Sequence, residues 1–206
     1  MRQLRALGDR LQVIKDIQQQ ELNRLEAHAG NAALARSIQD HVTWLQACAD
    51  QLQREIDDHI DGHPRMREDA DLIASLPGLG TVTTPKVLAF WGDVRRFKNA
   101  KALAAFIGVT PRLKESGRSV QGRSMISRAG HGEMRRALYM PALVASRHNP
   151  AVKAFGDRLR AAGMAPNAVI GACMHKLAML IYGVLRSGLP FDSRIAMPRV
   201  DFQDGI

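Results

Sequence analysis

Apolar residues recur every three or four positions through most of the chain, the period of helices that bury one stripe. Over residues 32–60, Ile38, Val42, Leu45, Ala49, Leu52, Ile56 and His59 advance by alternating steps of four and three. That is the heptad seam of a helix packed along a partner. Leu4, Leu7, Leu11 and Ile14 follow the same rule over residues 2–28 until Gln18 interrupts it. Gly30-Asn31 separates the two segments, because glycine tolerates the dihedrals that end a helix. The pattern predicts a helical arm over residues 1–64, either an antiparallel hairpin or an intermolecular coiled coil that would make the chain a homo-oligomer. The run Asp57-Asp58-His59-Ile60-Asp61-Gly62-His63-Pro64 resembles a metal-ligand cluster. Its positions fall mostly on the outside of a helix end, which makes it a solvated turn and hinge.

Beyond Pro64 the segments shorten and glycine and proline punctuate them. Helices are predicted over 67–75, 81–91, 99–107, 132–147, 151–162 and 167–186. Pro141 should kink the fourth, since its ring displaces a backbone hydrogen bond. The last is an almost wholly apolar core helix through Val169, Ile170, Leu177, Leu180, Ile181 and Leu185. Residues 112–127 read as a loop or short hairpin. The fold class expected is mainly α: the arm, a compact domain over 65–190 and a frayed tail over 191–206.

Composition narrows the function. In 206 residues, 46% hydrophobic and 24% charged is a globular balance, and two cysteines exclude a disulfide framework. The N-terminus has no apolar leader and no run approaches ~20 uninterrupted apolar residues, so a cytoplasmic protein with no membrane partner is expected. The formal charge of +9 is concentrated: residues 95–136 hold eleven Lys and Arg against Glu115 and Glu133, while the rest balances acids with bases. Such a block attracts polyanions, nucleic acid above all, although a basic stretch can also be only a solvated face.

Three motifs carry candidate chemistry. In Leu72-Ile73-Ala74-Ser75-Leu76-Pro77-Gly78-Leu79-Gly80-Thr81-Val82-Thr83-Thr84, two helices flank a tight Gly-x-Gly turn, the pattern of a helix-hairpin-helix element. Gly78 and Gly80 allow the turn, and the N–H groups from Thr81 onward can seat a phosphate without reading sequence. Arg95 and Arg96 follow. In the second motif Ser116-Gly117 lies among Arg112, Lys114, Arg118 and Arg123. A serine is a nucleophile only beside a base or beside cations that stabilise its alkoxide, and a Ser-Gly pair alone is ordinarily a turn. The third motif, residues 122–138, brings Ser127, Arg128 and His131 to a helix whose first turn holds Arg135 and Arg136, cations that call for an anion at that end.

Leu76-Pro77-Gly78-Leu79-Gly80, the run Arg96 to Pro111, Ser116-Gly117, Ile126-Ser127-Arg128-Ala129-Gly130 and Met134-Arg135-Arg136-Ala137-Leu138, in that order, resemble the C-terminal transposase domain of the family named after insertion sequence one-ten. That family includes the Piv-type DNA invertases and the RNA-guided bridge recombinases. The likeness extends over most of residues 1–190 once the arm is counted. It implies that Ser116 attacks a DNA phosphodiester and becomes covalently linked to it. The nearby glycines and bases would then hold the DNA of element ends and target. Ser127 is the second candidate, and spacing does not choose between them. A structured guide RNA is a further partner the resemblance brings in.

Family members look like two-part enzymes whose N-terminal RuvC-like domain holds Mg2+ on four acidic residues. This sequence opens at the arm, and Asp9, Asp16, Glu21 and Glu26 read as solvated faces of amphipathic helices, not as a tetrad. No metal or other cofactor is therefore expected on this chain. Without the charge neutralisation metal ions provide, worth several kcal/mol, catalysis by the chain alone is not expected. Three functions follow: the DNA-binding, serine-bearing part of a recombinase; a non-catalytic DNA-binding or dominant-negative remnant; and a helical adaptor for protein partners.

Overall fold

The computed structural model describes residues 2–28, 30–80, 82–116, 120–126, 130 and 132–196. Helices α1 (Arg2–Ala27) and α2 (Ala32–Asp61) run antiparallel, with Gln18 donating to Gln46 at 2.8 Å and His41 lying 3.6 Å from Glu21. Asn31 caps α2 by accepting from the Leu34 N–H at 3.1 Å. Ile38, Val42, Leu45, Ala49 and Ile56 are buried, as are Leu4, Leu11 and Ile14 of α1. Glu21 departs from the sequence expectation. Instead of facing solvent it is buried between the helices, where Arg24 at 2.7 Å supplies the positive partner a buried carboxylate requires and the His41 ring lies 3.6 Å away.

Gly62 ends α2, and Pro64 opens α3 (Pro64–Ala74) at the first helical position, where its missing N–H costs nothing. At this hinge the His59 and His63 rings lie 4.6 Å apart, and His63 Nδ1 is 2.7 Å from the His59 carbonyl. Among the described residues no three His, Cys, Asp or Glu side chains gather as a metal site. Then come α4 (Thr83–Trp91), a 3-10 turn over Val94–Arg96 and α5 (Ala100–Ile107), followed by the strands β1 (Pro111–Ser116) and β2 (Val120–Ile126). Helices α6 (Gly132–His148), α7 (Pro150–Ala161), α8 (Pro166–Ser187) and α9 (Ser193–Ala196) follow, with Pro141 inside α6.

Mainly helical is thus the fold class, with one two-stranded antiparallel sheet among the described residues. Helix α8 is its centre: Val169, Cys173, Leu177 and Ile181 are fully enclosed by α5, α6 and α7, and α3 packs on the same core. By length and composition α8 could cross a membrane, yet 61% of its apolar window is buried inside the fold. Helix α1 packs against α4 as well as α2, so one apolar core runs from Leu4 to Leu185. Of the tail expected over 191–206, residues 191–196 are described and pack on the domain, while 197–206 lie outside the described residues. The Phe191 N–H donates to Ser75 Oγ at 2.9 Å, its ring packs on the core, and α9 touches α7.

Candidate nucleic-acid interface

Leu76 and Leu79 enter the core and draw the turn between α3 and α4 tight against α6. Gly78 adopts φ +104°, and a Cβ there would sit 2.9 Å from the Cβ and N of Ala145. Only glycine fits so close an approach in that conformation. Gly80 differs: it is exposed, a Cβ would meet nothing within 4 Å, and its carbonyl accepts from the Thr83 and Thr84 N–H groups at 3.0 Å each. Helix α4 begins there with no side-chain cap. Thr81, the third residue assigned to this seat, lies outside the described residues.

The arginine pair after α4 divides. Arg95 makes a bidentate pair with Asp69 at 2.8 and 3.1 Å, with a further contact to Asp93 at 3.6 Å. The Asp69 partnership pushes the Arg95 pKa up, and the guanidinium ties the 3-10 turn to α3. Arg96 is exposed, its guanidinium 4.8 Å from the Phe97 ring and 5.3 Å from Phe106, and it donates to the Trp91 carbonyl at 3.3 Å. Its guanidinium thus rests on an aromatic seat.

The sheet springs from one point. Gly108 ends α5 in the left-handed region (φ +81°), and Gly130, at φ +116°, would bring a Cβ within 2.6 Å of the Gly108 nitrogen. These two backbones touch, so the ribbon leaves and rejoins the helical body at adjacent points. Pro111 pairs with Ile126 at its base and Ser116 with Val120 at the end of the ladder. The register shifts between Arg112 and Lys114, so that Arg123 and Ser124 both oppose Leu113. Such a bulge sharpens the local twist. Arg112, Lys114, Ser116 and Arg123 all belong to this ribbon, whereas Arg118, Ser127, Arg128 and His131 lie outside the described residues. Beneath the base, His175 of α8 lies against the Val109 backbone, and burial pushes its pKa down.

Arg135 and Arg136 open α6. Arg135 is half-buried and donates to the Gly108 carbonyl at 3.5 Å, while Arg136 is exposed. Arg136 borders a cleft of about 800 Å3 between α1, α4 and α6 that also holds Thr83 and Lys86. Sequence reasoning passed over Lys86. It is half-buried and donates to Gln12 Oε1, and burial first, then Lys15, pushes its pKa down. A lone lysine in an otherwise apolar helix was the available signal. Asp69, which decides what Arg95 does, carried none.

The acidic residues of α1 do not fit a magnesium set. Asp9 lies 3.8 Å from Arg5, Asp16 accepts from Gln12 at 2.7 Å and Glu21 is taken by Arg24 and His41. They are spread along one helix, each with its own partner.

Residues 70–157 match the family model described as Transposase IS116/IS110/IS902 family. The Pilin gene-inverting protein of Moraxella bovis is 36% identical over 157 residues, 76% of this chain and 49% of that relative. The Insertion element IS110 43.6 kDa protein of Streptomyces coelicolor is 28% identical over 144 residues, 70% of this chain and 34% of the relative. The Transposase for insertion sequence element IS1111A of Coxiella burnetii is 33% identical over 63 residues, 31% of this chain and 17% of the relative. The chain spans about half the length of the Moraxella protein and about a third of the Streptomyces one. The span of the family model takes in the Gly-x-Gly turn, the ribbon and the helix carrying Arg135 and Arg136, and on these matches the chain belongs to the IS110 family of transposases.

Proposed function

We propose that the chain serves DNA transposition or site-specific recombination as the DNA-binding, serine-bearing part of an insertion-sequence transposase. The observation that carries this reading is the ribbon. It is pinned at its base by Gly108 and Gly130 and bears Ser116 at the outer end of β1, about 17 Å from Pro111 at the rise of a strand. A two-stranded ribbon can enter a DNA groove, and this one belongs to the stretch that holds the chain's excess charge.

On this reading Ser116 Oγ attacks a DNA phosphorus. A phosphoserine ester forms, the bond to the departing deoxyribose oxygen breaks, and the proton the serine hydroxyl gives up is balanced by the one that oxygen takes up. Arg112, Lys114, Arg118 and Arg123 stabilise the charge that develops on the phosphate. The α3–turn–α4 segment acts as a helix-hairpin-helix seat through Gly78, Gly80 and Thr81, with Arg96, Arg128, Arg135 and Arg136 holding the backbone on either side. Arg95 contributes indirectly, by anchoring the 3-10 turn to Asp69. The arm pairs with a second copy through the outer face of α2, where Trp44 is 59% exposed.

The separate partners of Asp9, Asp16 and Glu21 favour a second reading, a DNA-binding regulator without chemistry of its own. Both readings require salt-sensitive binding to duplex DNA, with log affinity falling against log salt by about 0.9 per phosphate contacted. Binding that ignores salt contradicts both. Covalent DNA adducts that vanish in Ser116→Ala and persist in Ser127→Ala separate the first from the second.

A further inference from the structure

A second concavity, of about 400 Å3, opens between the start of α6 and the start of α8. It lies beside the ribbon's base, where Arg135 reaches the Gly108 carbonyl and β2 touches α8. Arg135, Arg136, Tyr139 and Asn167 line it, over a floor of Gly171 and Met174. Tyr139 is 44% exposed although its neighbours Met134, Leu138 and Ala142 are buried, so helix packing does not account for an aromatic ring at this position. Asn167 is exposed at the second position of α8 and carries an amide that both donates and accepts.

Two guanidiniums, an open aromatic face, an amide and an apolar floor, in a cavity within the small-ligand range, are the groups that hold an unpaired nucleotide. A base stacks on an aromatic ring whatever its identity, its phosphate pairs with arginine, and an amide meets the base edge. A stacked duplex presents no free base face, so such a pocket takes one strand only after its bases have separated. We infer that this pocket captures an unpaired deoxynucleotide of the DNA strand leaving the ribbon, with its base on Tyr139 and Met174, its edge at Asn167 and its phosphate at Arg135 and Arg136. The inference rests on the DNA-binding reading above and adds to it a preference for opened strands, the form in which strand exchange must pass through an intermediate. DNA is chosen over RNA because the pocket adjoins the ribbon assigned to DNA.

The test measures binding of the chain to three labelled probes by fluorescence anisotropy: a 12-nucleotide oligodeoxythymidine, a duplex of equal length and an oligouridine. Tyr139→Ala should weaken oligodeoxythymidine binding by about fivefold or more, the low end for loss of one base stack. It should leave duplex binding within about twofold, and Tyr139→Phe, which keeps the ring, should restore the affinity. Asn167→Ala should reduce discrimination among oligomers of different base composition. Because Tyr139 is exposed, its variants should melt with the parent. Equal losses on single strand and duplex, or none on either, overturn the inference while leaving the DNA-binding reading intact. A loss confined to oligouridine overturns the choice of DNA. Salt-insensitive or absent binding to all three probes overturns the inference and the reading beneath it.

Discussion

Gly78 and Gly80 stand two residues apart in the same turn, yet one added methyl group should affect them oppositely. At Gly78 the methyl of alanine would meet Ala145 Cβ and N at 2.9 Å and its Cα at 3.0 Å, in a backbone of φ +104°. The positive φ costs a side chain about 1–2 kcal/mol, and forcing a methyl into closed packing costs about 1–3 kcal/mol more. The obstacle includes backbone of α6, so no side-chain rotation relieves it. Gly78→Ala should therefore lose about 2–5 kcal/mol, which at about 2–4 °C per kcal/mol in a chain of this size lowers Tm by about 4–20 °C. Gly80 has open space and is not among the positive-φ glycines. Gly80→Ala should be neutral or raise stability by up to about 1 kcal/mol through a less free unfolded chain. Circular dichroism melts of the two variants beside the parent decide it. If Gly78→Ala melts with the parent, or Gly80→Ala melts lower than Gly78→Ala, the seating of the turn against α6 is wrong.

The arginines should separate by assay. Arg95→Ala should lower stability by about 1–3 kcal/mol in denaturant unfolding, since it leaves Asp69 without its bidentate partner. Arg136→Ala should leave unfolding unchanged and reduce the salt slope of DNA binding by about 1; matching behaviour of the two would contradict their assigned roles. The acid limb of stability should show the histidines. Burial lowers the folded-state pKa of His175 and His59 below 6.5, so the neutral forms stabilise the fold fully above that value. Stability should fall as pH drops below 6.5, because the unfolded chain takes up protons first. His175→Gln should flatten this slope in unfolding measured from pH 7 to 5, and an unchanged slope would refute the assignment.

Much of the helical framework was legible because its signals are local. The heptad positions from Ile38 to Ile56 line the α1–α2 contact, Asn31 and Asn99 cap the helices they precede, and Pro64 and Pro166 open α3 and α8. What escaped the sequence depends on contacts between distant residues. Arg95 reads as a free cation until Asp69, twenty-six residues earlier, is placed beside it. Glu21 fits a solvated stripe until α2 covers it with His41. Phe191 follows a glycine-proline break and looks frayed, but Ser75 and the core hold it. In the candidate site, the bases and glycines were readable as types. The separate tasks of Gly78 and Gly80, and the contact that makes Gly108 and Gly130 the root of the ribbon, required the third dimension.

The central claim, a serine-bearing DNA recombination element, is met most directly by trapping its covalent intermediate. The chain would be incubated with Mg2+ and labelled element-end DNA, with and without the acidic N-terminal domain of a full-length relative, and resolved on a denaturing gel. The expected result is a protein–DNA adduct that requires the added domain, is lost in Ser116→Ala and survives in Ser127→Ala. An adduct that persists in Ser116→Ala, or salt-sensitive binding with no adduct under either condition, would contradict it.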